Sequence, residues 1–347
     1  FLVSYFAIQN KREVILTGTK RMQQRPIYYL VESLKDLGCN INYIKKKGYP
    51  PIKIIGKVVN KKKIEIKSDI SSQYISSLIL IGPKLKRGLI IKLLNEKISL
   101  SYIKLTIYLL KKLHFKIKLK NNYIFIKRFK TKNNKIIKYN IESDWSSASY
   151  FYSIISILDN KSIILTKFTN KSYQGDSSIA YIYNKYFGVK TIFCSKDRII
   201  IKKNKNYKLP KYLKLNLKST PDIAQTIVVT CALLKIKCLL TGLKTLKIKE
   251  TDRLIALKNE LKKIGILTKI TYDSIEIIDF KNKPNKNNII IKTYKDHRMA
   301  MSFAVLAIYY KIIIRNPMTV NKSYPNFWED LKKIGFNYKK IILKKNV

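Results

Sequence analysis

The sequence predicts an α/β protein built as a tandem array of units of about 75 residues each. Helix-like segments end in an apolar residue and a turn residue at this interval, at Leu37-Gly38, Leu113-His114, Phe187-Gly188, Ile264-Gly265 and Ile334-Gly335. A second series of helix starts follows the same interval, at Ser71, Ser146, Asp222 and His297. Strand-like segments alternate with these helices, which indicates α/β units with parallel strand pairing.

The turn residue at each helix end supports this division. Glycine adopts the left-handed conformation that closes a helix, and His114 takes the place that glycine holds in the other units. Because histidine tolerates positive φ better than most residues, we give His114 no catalytic role. The same interval, carried back to the first residues, predicts a helix over residues 1–8 that lacks its N-terminus. We therefore expect part of an earlier unit to be missing from this sequence.

The strands and the lobes follow from the same pattern. Strands are predicted over residues 52–55, 64–67 and 89–93. A polar, lysine-rich stretch at residues 130–140 is the predicted boundary between two lobes. Residues 1–140 would form the remainder of an N-terminal lobe with about two units, and residues 141–347 a C-terminal lobe with three units.

The charge of the chain has two competing explanations. A formal net charge of +50 on 347 residues would normally indicate binding to nucleic acid or to an anionic membrane. However, lysine, isoleucine, asparagine and tyrosine are abundant together while arginine occurs only nine times, and A/T-rich codons specify those four residues. The charge is also spread along the chain. We therefore favour codon bias, and a basic nucleic-acid-binding repeat protein and a non-functional remnant are the alternatives.

Cysteine and histidine are too sparse to predict a metal site. Four cysteines, Cys39, Cys194, Cys231 and Cys238, show no CxxC spacing, and there are two histidines. Such thiols are typical of buried apolar positions in a reducing cytosol, so we expect a cytoplasmic protein without a disulfide framework. No apolar run reaches the roughly 18 residues that a membrane span needs, and no membrane association is expected.

One strand-to-helix junction carries more charge than helix formation explains. Apolar residues at steps of three and four predict a helix that runs through Leu257 to Gly265. Lys249, Glu250 and Arg253 crowd its start. Cations at a helix N-terminus oppose the positive end of the helix dipole. The junction therefore indicates an anionic ligand.

Other predicted helix starts also carry cations. Arg25 precedes Pro26, a favoured first helical residue, Arg298 lies in a first turn, and Lys322 precedes a helix that starts near Phe327. Free N–H groups and arginine side chains at several helix starts would together bind a small polyanion. Each cation taken singly is better explained as an exposed charge, and only the recurrence favours function.

The polar residues at the helix starts have a structural and a functional interpretation. Helix capping accounts for Ser146 and Ser147, and Asp144 and Glu142 are read as structural. For Ser71, Ser72 and Gln73, capping and phosphate binding stay equally open. Asp222 and Glu250 could be ordinary first-turn acids, but carboxylates beside lysine and arginine are also candidates for proton transfer.

Taken together, six motifs resemble one enzyme family along essentially the whole chain, in family order. The sequence is similar to 5-enolpyruvylshikimate-3-phosphate synthase at Arg21-Met-Gln-Gln-Arg-Pro26, Ser71-Ser-Gln73, Asp144-Trp-Ser-Ser-Ala148, Ser172-Tyr-Gln-Gly-Asp176, Lys249-Glu-Thr-Asp-Arg-Leu254 and Tyr294-Lys-Asp-His-Arg-Met-Ala300. The resemblance implies a two-lobed inside-out α/β barrel of repeated βαβαββ units, with the first unit missing here. An enolpyruvyl transferase that acts on a UDP-sugar is the nearest rival, but it lacks this pair of motifs around Arg253 and Arg298.

The resemblance also implies the reaction and the roles of residues. Phosphoenolpyruvate would donate its enolpyruvyl group to the 5-hydroxyl of shikimate 3-phosphate, with release of phosphate and without a metal or organic cofactor, in a monomer that binds no nucleic acid. Asp222 would be the base towards the 5-hydroxyl, and Glu250 the proton relay to the methylene carbon. Phosphoenolpyruvate would contact Arg25, Gln73, Arg253, Arg298 and Lys322, and shikimate 3-phosphate would contact Ser71, Ser72, Gln73, Ser99, Asp222 and Lys249, with Tyr102 near its ring.

The sequence departs from the family pattern in three ways. The N-terminal Lys-Ser motif with its following arginine is absent, as is the Asn-Ala-Gly-Thr segment. Thr245 stands where many members carry asparagine, and Ser101 and Lys104 replace a proline and an acid. We expect that this chain alone is inactive or nearly so and that the full-length product is active.

Overall fold

The computed structural model describes residues 1–68, 71–95, 100–129, 136–195, 197–281 and 288–341. The chain divides into two compact units. Unit 1 comprises Phe1–Glu142, Lys171–Ser177 and Leu217–Pro221, and unit 2 comprises Ser143–Asn170, Ser178–Asn216 and Asp222–Val347. No helix in the described part of the chain is both long enough and apolar enough to cross a membrane.

Unit 1 contains two sheets and the helices that cover them. Its elements are α1 (Leu2–Ala7), β1 (Glu13–Leu16), α2 (Lys20–Gln23), α3 (Tyr28–Asp36), β2 (Asn40–Tyr43), β3 (Ile52–Ile55), β4 (Lys63–Lys67), α4 (Ser72–Ile81), β5 (Leu89–Leu94), α5 (Leu100–Lys112), β6 (Ile117–Lys120) and β7 (Tyr123–Ile126). One sheet has the order β1-β3-β2 and is antiparallel throughout. The other has the order β4-β5-β7-β6, with β4 and β5 parallel and the remaining pairs antiparallel.

Unit 2 continues the alternation of helices and strands. Its elements are α6 (Trp145–Ile157), β8 (Ser162–Thr166), α7 (Ser178–Phe187), β9 (Val189–Cys194), β10 (Arg198–Lys203), β11 (Tyr212–Asn216), α8 (Ala224–Leu233), β12 (Lys237–Thr241), α9 (Arg253–Lys262), β13 (Ile266–Ile270), β14 (Ile275–Phe280), β15 (Ile289–Lys292), α10 (His297–Ala304), β16 (Ile312–Arg315) and α11 (Phe327–Lys333). The sheets have the orders β8-β10-β9, β11-β12-β14-β13 and β15-β16.

The strand pairing corrects one expectation. Among the described strands, only β4 with β5, β11 with β12 and β15 with β16 pair in parallel. The other pairs are antiparallel, and in three of them, β6 with β7, β9 with β10 and β13 with β14, a short connection joins the two strands. A short connection of this kind reverses the chain, whereas a parallel pair needs a crossover helix.

The predicted helix ends are confirmed at all five positions. Gly38 has φ +94°, and His114 has φ +65° in the same role. The other three are also left-handed, with φ +68° at Gly188, +77° at Gly265 and +99° at Gly335. Glycine occupies four of these turns, because it has no Cβ to clash in the left-handed conformation. His114 occupies the fifth, and histidine tolerates this conformation better than most residues.

Two expectations about helix starts are wrong in detail. The residue that caps α6 is Asp144, in place of the expected Ser146 and Ser147. Its carboxylate accepts hydrogen bonds from Ser146 N at 3.0 Å and from Ser147 Oγ at 2.9 Å. A carboxylate cap also complements the helix dipole, which a serine cannot do. Pro26 is not the first helical residue, since α3 begins at Tyr28.

Equivalent helices of the repeat meet through buried hydroxyl groups. In unit 1, Ser77 Oγ of α4 donates to Ser4 Oγ of α1 at 2.6 Å. In unit 2 the corresponding contacts join α6, α8 and α10, with Ser149–Thr226 at 3.0 Å, Thr226–Ser302 at 3.5 Å and Ser153–Thr230 at 2.7 Å. Tyr183 of α7, a helix of the other series, also contacts Thr230 at 2.6 Å. Small side chains bring the helices close, and the hydroxyls satisfy one another where water is excluded.

Candidate functional site

The junction between β12 and α9 holds a fully buried arginine. After β12 the chain forms a short 3-10 helix, Lys244–Ile248, and α9 then begins at Arg253. Asp252 caps α9, because its Oδ1 accepts from Leu254 N at 3.1 Å and from Ile255 N at 3.2 Å. Such a cap contributes about 1 kcal/mol and sets where the helix starts. Arg253 is thereby placed in the first turn, with a side chain only 2% exposed.

Three carboxylates surround the Arg253 guanidinium. Nη1 donates to Asp222 Oδ1 at 2.9 Å, Nη2 to Glu250 Oε2 at 2.9 Å, and Nε to Asp296 Oδ2 at 2.7 Å. A buried guanidinium must be paired, since an uncompensated charge in this position would cost several kcal/mol. The sequence analysis explained the cations at this junction by an anionic ligand. The structure adds that the protein's own carboxylates already pair with Arg253.

Further cations complete the group. Lys249 Nζ lies 3.4 Å from Asp222 Oδ1, and Arg298 Nη2 lies 3.4 Å from Asp222 Oδ2. Lys322 Nζ, at the end of a 3-10 helix, forms an ion pair with Glu250 Oε1. We call this group the unit 2 cluster, and its members are Asp222, Lys249, Glu250, Arg253, Asp296, Arg298 and Lys322. Six of them are residues that the sequence marked out, brought together from four separate parts of the chain.

Helix starts position the rest of the unit 2 cluster. Asp222 lies in the 3-10 turn Pro221–Ile223 that leads into α8. Arg298 is the second residue of α10, and its Nη1 donates to the backbone carbonyl of Asp222 at 3.2 Å. Arg298 Nη2 also donates to Ser146 Oγ in the first turn of α6 at 3.4 Å. The repeated helices α6, α8 and α10 therefore present their N-terminal ends to the same group.

The cations hold Asp222 in its ionised form. Burial favours the neutral carboxyl, but the charges of Arg298, Lys249 and Arg253 outweigh burial and place the pKa of Asp222 far below its ordinary value. The carboxylate is therefore a weak base while it stays paired with these cations. An anion that binds to the same cations would weaken their effect and raise the basicity of Asp222.

The same surroundings lower the pKa values of Glu250 and His297. Burial raises the pKa of Glu250, but Arg253 and the hydrogen bond from Lys322 lower it to about 2. Burial, with the charge of Arg298, lowers the pKa of His297 to about 4, so its imidazole is neutral near pH 7. The Nδ1 atom of His297 is buried and has no hydrogen-bond partner in the described part of the chain. It lies 3.9 Å from Asp296 Oδ1, which is too long for a hydrogen bond.

Unit 1 carries the remaining predicted residues. Arg25 lies between α2 and α3, and Ser71 is the residue before α4, although its side chain makes no capping hydrogen bond. Ser72 is buried and Gln73 is exposed in the first turn of α4. The next residue, Tyr74, donates its hydroxyl hydrogen bond to the carbonyl of Pro26. This contact ties the first turn of α4 to the Arg25-Pro26 turn.

Some predicted residues fall outside these contacts. Ser99 lies outside the residues that the structure describes. Tyr102 is on α5, half-buried, and its carbonyl accepts from Thr106 Oγ1 at 2.9 Å. Ser101, one of the departures from the family pattern, donates to the carbonyl of Ser219 at 2.7 Å within unit 1. In the described ranges no group of three or more histidine, cysteine and acidic side chains could hold a metal ion.

The sequence interpretation missed Asp296. Its local signal was available, because an aspartate directly before a helix is a capping residue, and Asp296 accepts from Arg298 N at 2.8 Å as Asp144 and Asp252 do before their helices. Its contact with Arg253 spans 43 residues of sequence, and no local pattern predicts such a pairing.

Comparison with known proteins identifies the relatives of this chain. A family model described as EPSP synthase (3-phosphoshikimate 1-carboxyvinyltransferase) matches residues 1–331. The 3-phosphoshikimate 1-carboxyvinyltransferase of Bacteroides fragilis is 42% identical over 325 residues, which cover 93% of this chain and 78% of that enzyme. The enzyme of the same name from Buchnera aphidicola subsp. Cinara cedri is 38% identical over 331 residues, covering 93% of this chain and 72% of that one.

Solved structures share the fold. EPSP synthase from Acinetobacter baumannii superposes with a TM-score of 0.68 at 22% identity, covering 96% of this chain and 75% of that chain. The enolpyruvyl transferase NikO from Streptomyces tendae superposes with a TM-score of 0.69 at 12% identity, covering 96% of this chain and 74% of that chain. The predicted enolpyruvyl transferase fold is thus confirmed.

Proposed function

This chain belongs to the EPSP synthase family, and on that premise we propose that the unit 2 cluster binds its substrates and transfers protons between them. The enzyme transfers the enolpyruvyl group of phosphoenolpyruvate to the 5-hydroxyl of shikimate 3-phosphate and releases phosphate, a step in aromatic amino acid biosynthesis. Both substrates are small and carry several negative charges. A group rich in arginine and lysine at helix starts suits such ligands.

Arg253, Arg298 and Lys322 are the proposed phosphoenolpyruvate ligands of unit 2. Each already pairs with a carboxylate, at distances of 2.9 Å between Arg253 and Asp222 and 3.4 Å between Arg298 and Asp222. The substrate's carboxylate and phosphate would share these cations with the protein's own acids. Arg25 and Gln73 are the proposed ligands from unit 1, where Tyr74 holds the Arg25 turn against α4.

Lys249 and Asp222 are the proposed shikimate 3-phosphate ligands of unit 2. Their contact, 3.4 Å between Lys249 Nζ and Asp222 Oδ1, puts a hydrogen-bond acceptor and a cation side by side. Asp222 would accept the hydrogen of the 5-hydroxyl and Lys249 would bind an oxygen of the same substrate. Ser71, Ser72, Gln73 and Ser99 are the proposed ligands from unit 1, where hydroxyl and amide donors suit a phosphate.

The proposed chemistry balances its protons through two carboxyl groups. Glu250 delivers a proton to the methylene carbon of phosphoenolpyruvate, the 5-hydroxyl oxygen attacks C2, and Asp222 takes the hydroxyl proton. In the second half, the bond between C2 and the phosphate oxygen breaks, the leaving phosphate takes up the proton that Asp222 had accepted, and Glu250 takes a proton back from the new methyl group, which restores the double bond. A substrate anion at Arg253 and Lys322 weakens their hold on Glu250, which raises its pKa from about 2 towards a value useful for donation.

One observation carries this proposal: the single guanidinium of Arg253 binds both proposed proton carriers, Asp222 and Glu250, at 2.9 Å each. The test is Glu250→Gln in the full-length protein, with phosphate release measured at saturating concentrations of both substrates. We expect kcat to fall by about 100-fold or more while the KM values change little, because a proton-transfer group acts chiefly in the transition state. The control is Glu329→Gln, an exposed acid on α11.

Equal losses in kcat and in substrate binding for Glu250→Gln would contradict the assigned role. A normal kcat would overturn the proposal for the whole unit 2 cluster. Glu329→Gln should keep the parent kcat and KM values, since it removes one carboxylate outside the cluster.

We also propose that the protein is a cytoplasmic monomer that does not bind nucleic acid. Its four cysteines are free thiols, and a reducing compartment keeps thiols in this form. Its positive charge is spread along the sequence. Light scattering after gel filtration tests the monomer, and cell fractionation tests the cytoplasmic location. A DNA retardation assay at increasing salt tests the absence of nucleic-acid binding. If DNA is retarded in a salt-dependent way and shikimate 3-phosphate does not displace it, the result would support the nucleic-acid-binding alternative.

A further inference from the structure

Asp296 contacts two of the arginines in the unit 2 cluster at once. Its Oδ2 accepts from Arg253 Nε at 2.7 Å, and its Oδ1 accepts from Arg253 Nη2 at 3.5 Å. Oδ1 also accepts the backbone N–H of Arg298 at 2.8 Å, which caps α10. A two-point contact with a planar guanidinium fixes its orientation as well as its charge.

Burial distinguishes Asp296 from the other acids on Arg253. The Asp222 side chain is 13% exposed and that of Glu250 is 15% exposed, whereas Asp296 is 0% exposed. Under the proposed function, Asp222 and Glu250 gain and lose protons during turnover. Each time one of them is neutralised, the buried guanidinium loses one of its counter-charges. A fully buried carboxylate that takes no part in this proton exchange can hold the guanidinium in place meanwhile.

We propose that Asp296 is the positioning residue for the phosphoenolpyruvate arginines: it keeps Arg253 oriented and Arg298 at the start of α10 while Asp222 and Glu250 exchange protons. The inference rests on the proposed function of the unit 2 cluster. Asp296 itself touches neither substrate. Its effect passes through Arg253 and Arg298, so its loss should weaken phosphoenolpyruvate binding more than shikimate 3-phosphate binding.

Asp296→Asn is the informative substitution. Asparagine has the same shape, caps a helix about as well as aspartate, and still offers an oxygen to Arg253, but it carries no charge. We expect the KM for phosphoenolpyruvate to rise about tenfold or more, while the KM for shikimate 3-phosphate changes less than about threefold. A purely structural role would instead lower the melting temperature and change both KM values together.

The matched control is Asp252→Asn. Asp252 caps α9 through Leu254 N and Ile255 N, so the substitution makes the same chemical change at a cap. Asp252 is not among the carboxylates that bind the Arg253 guanidinium. Both KM values should therefore stay within about twofold of the parent. An equal rise in the KM for phosphoenolpyruvate in both variants would overturn the inference.

A measurement on the unchanged protein covers the case in which Asp296→Asn does not fold. The Nε–H resonance of Arg253 can be assigned in a ¹⁵N spectrum by its loss in Arg253→Lys. Because Nε donates to a fully buried carboxylate, the resonance should persist in slow exchange with solvent as both substrates are added. Its movement to the position of a solvent-exposed arginine on substrate binding would contradict a permanent Asp296 contact.

The two proposals fail in different ways. If Glu250→Gln retains normal turnover, the function of the unit 2 cluster is wrong. If Glu250→Gln loses turnover but Asp296→Asn binds phosphoenolpyruvate normally, only the positioning role of Asp296 is wrong.

Discussion

Arg253 and Asp222 form a buried ion pair at 2.9 Å, although 31 residues separate them in sequence. The pair joins the start of α9 to the start of α8. The guanidinium would bind one substrate while the carboxylate deprotonates the other. Under the proposed function, a substrate anion at Arg253 would change the basicity of Asp222 directly, and binding and chemistry would be electrostatically coupled.

Asp222→Asn should abolish most of the activity. The amide cannot take the proton of the 5-hydroxyl, and we expect kcat to fall by about 10²–10⁴-fold, the usual contribution of a general base. Single-turnover phosphate release checks this value. Asp273→Asn, in the turn between β13 and β14, is the control and should have parental kcat. A loss of less than about fivefold in Asp222→Asn would exclude Asp222 as the base.

Arg253→Gln should destabilise the protein as well as weaken phosphoenolpyruvate binding. It leaves Asp222, Glu250 and Asp296 without their shared counter-charge, and breaking such a buried pair costs about 3–5 kcal/mol. Urea unfolding followed by circular dichroism measures the loss. Arg198→Gln on β10, where the arginine is exposed, should change the free energy of unfolding by less than about 0.5 kcal/mol. Similar values for the two variants would show that the carboxylates do not depend on Arg253.

His297 should make stability depend on pH. Burial lowers its pKa from 6.5 to about 4, so between these values the unfolded chain binds a proton that the folded chain excludes. The contribution to stability is complete above pH 6.5 and is lost as pH falls towards 4, with a slope of up to about 1.4 kcal/mol per pH unit. His297→Gln should reduce this slope in urea unfolding at pH 4.5 to 7. An unchanged slope in the variant would contradict the assignment.

Thr230→Val tests the buried hydroxyl contacts in unit 2. Thr230 Oγ1 lies 2.7 Å from Ser153 Oγ and 2.6 Å from the hydroxyl of Tyr183, and all three side chains are buried. The loss of one hydroxyl leaves buried partners unsatisfied, and we expect a cost of about 1–3 kcal/mol in unfolding free energy. Adding Tyr183→Phe should cost less than the sum of the single changes. Strict additivity would mean that the two hydroxyls do not interact.

The sequence predicted the parts of this structure that depend on local patterns. Glycine or histidine marks each repeated helix end, and four cations and two acids near helix starts are the six members of the unit 2 cluster that the sequence marked out. The sequence could not predict that Arg253 is neutralised by three carboxylates, because Asp222 and Asp296 reach it from other helix starts. It also assigned the cap of α6 wrongly to Ser146 and Ser147 in place of Asp144, since serine and aspartate both cap helices well.

The hydroxyl contacts between equivalent helices have a counterpart in the distribution of charge. Five stretches of ten or more residues contain no lysine, arginine, aspartate or glutamate, at residues 1–10, 70–83, 145–158, 223–234 and 299–310. Each overlaps one of the helices α1, α4, α6, α8 and α10, whose serine and threonine side chains meet in the two units. Lysine occurs throughout most of the rest of the chain, but a buried ammonium group without a partner is too costly to keep. In a chain so rich in lysine, the absence of charge therefore marks the helices that pack against one another through buried hydroxyl groups.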